Sequence, residues 1–200
     1  MDLLDGCSAL EDLEIFVISF HEYPEVLEID DRNLPKLVKA TVLFCGALYI
    51  PVKAFRNVQF LTLDECEDTD IHVFPNLIHM EFFFNCSIKW SVVLDMLNHC
   101  PKLQTVVFEL QIYDDNDEVW PDPGFVPECF SSHLNKCYIK GYTGEECQMR
   151  FVRYVMQNST SLRTMIICSR YDQNHERRLE VITELASYTR SSAVCELLFK

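Results

Sequence analysis

Two stretches of this 200-residue chain carry one pattern. Leu3-Leu4-Asp5-Gly6-Cys7-Ser8-Ala9-Leu10-Glu11-Asp12-Leu13-Glu14-Ile15 matches Met96-Leu97-Asn98-His99-Cys100-Pro101-Lys102-Leu103-Gln104-Thr105-Val106-Val107-Phe108. Each has an apolar pair, a Cys, and apolar residues three, six and eight positions after the Cys. The last three positions recur as Leu37-Ala40-Val42, Val58-Leu61-Leu63 and Leu77-Met80-Phe82, and more weakly as Leu134-Cys137-Ile139 and Leu162-Met165-Ile167. One copy cannot bury its own apolar side, so the copies must stack and share a core.

The spacing L-x-x-L-x-L is that of a leucine-rich repeat. Its L-x-L part reads as a short strand with two inward apolar side chains, and the preceding L-x-x turns the chain into it. Three residues beyond the last apolar position such repeats carry Asn or Cys, and the three middle copies hold Cys45, Cys66 and Asn85 there. Gln111, Tyr142 and Arg170 depart from the pattern. First apolar residues at 10, 37, 58, 77, 103, 134 and 162 give steps of 27, 21, 19, 26, 31 and 28 residues. Regular arrays step by about 20–29, so this one is irregular.

Short middle steps leave room for turns, and the longer ones for helices. Three helices are predicted. Trp90 to His99, with Ser91 as a possible N-cap, puts Val93, Leu94 and Leu97 on one side. Glu145 to Gln157 aligns Cys147, Phe151, Val155 and Met156. Asn174 to Thr189 groups Leu179, Ile182, Leu185 and Ala186. The expected fold is therefore α/β: an irregular leucine-rich-repeat solenoid of ribonuclease-inhibitor-like type, with short parallel strands and outer helices and turns. Repeats occupy 1–113, truncated at the N-terminus, and an acidic loop with three prolines occupies 114–127.

A net charge of −14 repels phosphate backbones and anionic lipids, which argues against nucleic acid or membrane as partner. Met1-Asp2-Leu3-Leu4-Asp5-Gly6 has no signal-peptide character, and the apolar stretch from Val42 to Ile50 is too short to span a bilayer. Ten cysteines without a CxxC read as small buried hydrophobes in a reducing compartment. A cytoplasmic or nuclear protein is expected.

The chemistry of an enzyme is not in the pattern. The six histidines form no HExxH, and no cysteine sits in a nucleophile context. Asp114-Asp115-Asn116-Asp117-Glu118 fails as a calcium loop, because Val119 and Phe125 stand where Gly and Glu are needed. The sequons at Asn85 and Asn158 read as idle. No catalytic residue, cofactor or metal is expected.

The second half resembles the FBD domain of plant F-box/leucine-rich-repeat proteins. The resemblance rests on Trp120-Pro121-Asp122-Pro123, Val126-Pro127-Glu128-Cys129, Ser132-His133-Leu134 and Ile139-Lys140-Gly141-Tyr142-Thr143-Gly144. It continues through Phe151-Val152-Arg153-Tyr154, Asn158 to Leu162, Met165-Ile166-Ile167 and Arg190 to Phe199. It implies an FBD domain over 118–200 that continues the solenoid, preceded by the family's repeats. It also implies a non-enzymatic module on the substrate-recognition side of an SCF-type ubiquitin ligase. Nothing before residue 40 resembles an F-box, so a Skp1-type adaptor is expected as a partner only if an F-box lies upstream. The alternatives are a stand-alone repeat protein that binds or competes, and a truncated paralogue without function.

The partner-binding surface follows from strand alternation, because residues flanking the inward positions point outward. They are Asp12, Glu14, Lys39, Thr41, Phe60, Thr62, Asp64, His79, Glu81, Phe83, Thr105, Val107 and Glu109. Phe60 and Phe83 stand out as large apolar side chains on that face.

Overall fold

A computed structural model describes residues 7–18, 25–26, 34–45, 48–49, 55–64, 72–84, 88–111, 120–170 and 175–200. The first half runs β1 (Asp12–Ile18), β2 (Glu25–Val26), β3 (Lys39–Cys45), β4 (Leu48–Tyr49), β5 (Phe60–Asp64) and β6 (His79–Phe84). There follow α1 (Trp90–Asn98), β7 (Thr105–Leu110), α2 (Glu128–Ser132) and β8 (Lys136–Tyr142). The chain ends with α3 (Glu146–Asn158), β9 (Thr164–Ser169), α4 (His175–Ser187) and β10 (Glu196–Phe199). Eight of these strands form one open, wholly parallel sheet in the order β1-β3-β5-β6-β7-β8-β9-β10, and β2 pairs with β4 apart from it.

The repeat arithmetic becomes register. Leu13, Ala40, Leu61, Met80, Val106, Cys137, Met165 and Leu197 align across the sheet in one row. Ile15, Val42, Leu63, Phe82, Phe108, Ile139, Ile167 and Phe199 align in a second. Both rows face the helices and join one continuous core with Val93, Leu94, Phe151, Val155, Val181 and Leu185.

The strands β1, β3, β5, β6 and β7 are entered through the same hydrogen-bonded turn. The amides of Leu10, Leu37, Val58, Leu77 and Leu103 donate to the carbonyls of Cys7, Leu34, Phe55, Phe74 and Cys100, three residues back. Two successive amides of the next repeat then share one carbonyl of the repeat before. Val38 and Lys39 bond Glu11, Gln59 and Phe60 bond Val38, and Ile78 and His79 bond Gln59. Gln104 and Thr105 bond Ile78, Asn135 and Lys136 bond Gln104, and Arg163 and Thr164 bond Asn135. This ladder satisfies the backbone at the bend and sets one strand of advance per repeat.

The structure adds to the expected pattern in three places. Leu34, Phe55 and Phe74 open the turns of the middle copies and are fully buried, where only Cys7 and Cys100 were recognised. α2 fills the step before β8. β10 is an eighth copy, hidden because its turn runs from Ser192 to Cys195, one residue closer to the strand than elsewhere.

Two helix details are corrected. The N-cap of α1 is Lys89, with Ser91 already in the first turn, because Trp90 is drawn into the core at 1% exposure. In α4 the buried residues are Val181 and Leu185, followed by Tyr188 just past its end, while Leu179 is 66% exposed and Ala186 is exposed. Spacing of four and three residues keeps Val181, Leu185 and Tyr188 on one face, and Leu179 lies off it. Cys66 and Asn85, and residues 114–119 of the acidic loop, lie outside the described residues.

Candidate functional site

The face of the sheet away from the helices is built by the alternate residues of each strand. Its first row is Asp12, Lys39, Phe60, His79, Thr105, Lys136, Thr164 and Glu196. Its second is Glu14, Thr41, Thr62, Glu81, Val107, Tyr138, Ile166 and Leu198. A third runs Asp64, Phe83, Glu109, Lys140 and Cys168. All thirteen residues singled out by alternation lie on these rows.

They are not equally open. Thr41, Asp64 and Val107 are buried, at 9%, 7% and 7% exposure; Thr41 and Val107 have strand neighbours on both sides that crowd their short side chains. Phe60 is 37% exposed and Phe83 half-buried. Phe16, beside Leu43 on β1, is 64% exposed and escaped the sequence reading, although the same alternation reaches it. Lys136, Tyr138, Lys140, Ile166 and Leu198 extend the face over the second half. Sequence reasoning stopped at β7 there, although the weaker copies carried the same signal.

The charges on this face are largely paired. Lys39 reaches Asp12 and Glu14, each at 3.3 Å, and hydrogen bonding to Asp12 raises its pKa. Lys140 lies 2.8 Å from Glu109 and 3.6 Å from Glu81, with the Tyr138 ring centroid 5.6 Å away. The hydrogen bond to Glu109 raises the Lys140 pKa above its ordinary 10.5. Its stabilisation is therefore full below pH 10.5 and lost as the pH climbs through the higher folded value. Lys140→Met leaves two carboxylates facing each other and is expected to cost about 1 kcal/mol at neutral pH, the pair being partly screened. Urea midpoints check the cost, and the alkaline fall in stability should shrink in the variant.

Apolar and aromatic groups lie between the charges. The Phe60 and His79 rings are 6.0 Å apart, and burial lowers the His79 pKa below 6.5. The Cys168 thiol lies 3.3 Å from the Tyr138 hydroxyl, to which it donates. Elsewhere burial pushes thiols up rather than activating them: Cys129 to about 12, and Cys100 and Cys137 further still. Among the described residues no group of three or more His, Cys, Asp or Glu is placed to hold a metal. Nor is any helix among them long and apolar enough to cross a membrane. The arrangement offers an extended, mixed polar and aromatic contact surface.

Residues 122–167 match the family model described as FBD. Over these residues the chain is similar to FBD domains. It is 32% identical over 180 residues to an F-box/FBD/LRR-repeat protein of Arabidopsis thaliana, covering 84% of this chain and 40% of that protein. A second Arabidopsis thaliana F-box/FBD/LRR-repeat protein is 25% identical over 211 residues, covering 94% of this chain and 48% of that protein. The chain thus spans less than half the length of these relatives. No solved structure matches it.

The residues that carry the FBD resemblance are mostly structural. Trp120 is 7% exposed and packs on Trp90, Phe151 and Tyr154, tying the segment before α2 to α1 and α3. The Tyr154 hydroxyl donates to the Phe125 carbonyl. Gly141 and Gly144 have φ of +73° and +80° and shape the exit from β8. The Thr143 amide and hydroxyl both donate to Oε1 of the Gln148 side chain, at 3.0 and 3.2 Å, which closes that turn onto α3. The closing segment is anchored through the Ser191 amide on the Met156 carbonyl, at 2.9 Å, and Arg190 on the Cys195 carbonyl, at 3.0 Å.

Proposed function

We propose that this chain is a non-catalytic protein-interaction module whose helix-free sheet face takes a polypeptide partner. Its architecture is read as a leucine-rich-repeat solenoid of ribonuclease-inhibitor-like type. Its role is that of the substrate-recognition portion of an F-box/FBD/LRR protein in an SCF-type ubiquitin ligase. A Skp1-type adaptor is a partner only if an F-box segment lies upstream of these residues.

The observation that carries the reading is the helix-free face itself. Two rows of side chains run in register over all eight strands and a third over β5 to β9, and with Phe16 they mix paired charges with Phe60, Phe83 and Tyr138. Interfaces draw much of their energy from a few aromatic anchors within a polar surround. The charge of −14 favours a protein over a nucleic acid or an anionic membrane. The buried, unactivated thiols support a role without chemistry of its own. Placement in the cytosol or nucleus goes with free, unpaired thiols such as Cys100 and Cys137.

Phe60→Ala combined with Phe83→Ala tests the reading. Partner capture is expected to fall by roughly tenfold or more, the loss of one or two interface anchors, with unchanged circular dichroism. Undiminished capture by the folded double variant would overturn the role of this face.

A further inference from the structure

We infer that the β10 edge of the sheet is a self-association surface, on which a second copy of this chain adds its own β10 in antiparallel register. Among the described residues β10 stands at one end of the sheet, with β9 as its one strand partner. The Glu196 amide donates to the Arg163 carbonyl at 2.9 Å and the Lys200 amide to Ile167 at 3.0 Å. In a parallel ladder alternate residues bond the same neighbour. The amides and carbonyls of Leu197 and Phe199 therefore point to the open side, ready to bond another strand.

The sequence of this edge is self-complementary. Glu196-Leu197-Leu198-Phe199-Lys200, set against its own reverse, places Glu196 opposite Lys200 of the second copy. Leu197 then meets Phe199, and Leu198 meets itself on the two-fold axis. The phase is correct for hydrogen bonding: Leu197 and Phe199, whose backbone groups face outward, become the bonded pair. Leu198 becomes the closely spaced non-bonded pair. Leu198 is 40% exposed, and Leu197 and Phe199 are half-buried, so each has apolar surface left to cover.

A single Lys or Glu on an edge strand discourages pairing. Here the two charges have opposite sign and bracket the strand, so they favour one register and oppose the others. They also oppose a head-to-tail filament. Stacking β10 on the β1 edge of another copy would continue the rows and set Glu196 beside Asp12 and Leu198 beside Glu14. Like charges side by side are unfavourable, and the closed two-fold pair is preferred over the open array.

The surface is far smaller than a standard interface, so dissociation constants on the order of 10–100 µM are expected. Sedimentation of the 200-residue chain across that range should show 23.4 kDa monomer passing to a species of twice that mass. Glu196→Lys should weaken the dimer roughly tenfold, by turning two attractive cross-strand pairs repulsive. Glu196→Lys with Lys200→Glu should restore it. Leu198→Lys, which sets two ammonium groups together on the axis, should abolish it while circular dichroism stays unchanged. A chain that stays monomeric throughout, open-ended polymers, or a dimer indifferent to Leu198→Lys or unrestored by the charge swap would overturn the inference.

Discussion

Phe151→Ala is expected to destabilise the protein by about 3–5 kcal/mol, the range for truncating a fully buried aromatic. Phe151 is 0% exposed and sits on α3 where it faces the middle of the sheet. Its ring centroid lies 4.9 Å from Trp90 on α1, 4.9 Å from Phe108 on β7 and 6.3 Å from Trp120. Phe108 stacks in turn on Phe82 and Phe84 of β6. One side chain on α3 therefore joins α1, β7 and the segment that begins at Trp120, and through Phe108 it reaches β6. Its removal leaves a cavity whose walls belong to different elements and cannot collapse together. A domain of this kind has only about 5–15 kcal/mol in total, so the variant should approach unfolding. The urea midpoint measures the loss, and a cost below about 1 kcal/mol would show that the aromatic cluster is not the keystone of the core.

Gly141→Ala is expected to cost about 3 kcal/mol or more, although it adds one methyl group to a half-buried residue. Two effects add. The residue has a φ of +73°, where an L side chain costs about 1–2 kcal/mol. A Cβ there would also lie 2.1 Å from the carbonyl oxygen of Leu110, a backbone atom at the end of β7. That oxygen belongs to the sheet and cannot rotate away. The position coincides with the irregularity between Lys140 and Tyr142, where the β8–β9 register shifts. Thermal unfolding checks the prediction. The contrast is Gly124→Ala, which meets nothing within 4 Å and should be close to neutral.

These predictions separate what the sequence shows from what it hides. The seven copies of L-x-x-L-x-L were legible because a strand has a period of two and a repeat must stack. Those two constraints place Ala40, Leu61, Met80 and Val106 in one buried row. β10 was not legible, because Cys195 takes up the turn position one residue late, closer to the strand, and breaks the spacing. The buried openings of the turns were written as Leu34, Phe55 and Phe74, but they fell outside the motif being matched.

The candidate face was legible in direction only. Alternation says which way Thr41, Asp64 and Val107 point, and it says nothing of the neighbours that cover them. The ion pairs of Lys140 with Glu81 and Glu109 depend on which strands are adjacent and on their register. No local pattern encodes that. The FBD motif residues illustrate the converse: Trp120 and Gly141 stand out in the sequence, yet they act through packing and backbone geometry.

The role of the helix-free face is tested most directly by photo-crosslinking from single positions in living cells. A photoreactive phenylalanine analogue at Phe60 or Tyr138 samples the helix-free face. The same analogue at Leu179, 66% exposed on α4, samples the helical side. A protein adduct formed from the first two positions and absent from the third is expected. Adducts formed equally from Leu179, or from Leu179 alone, would contradict a partner-binding role for this face.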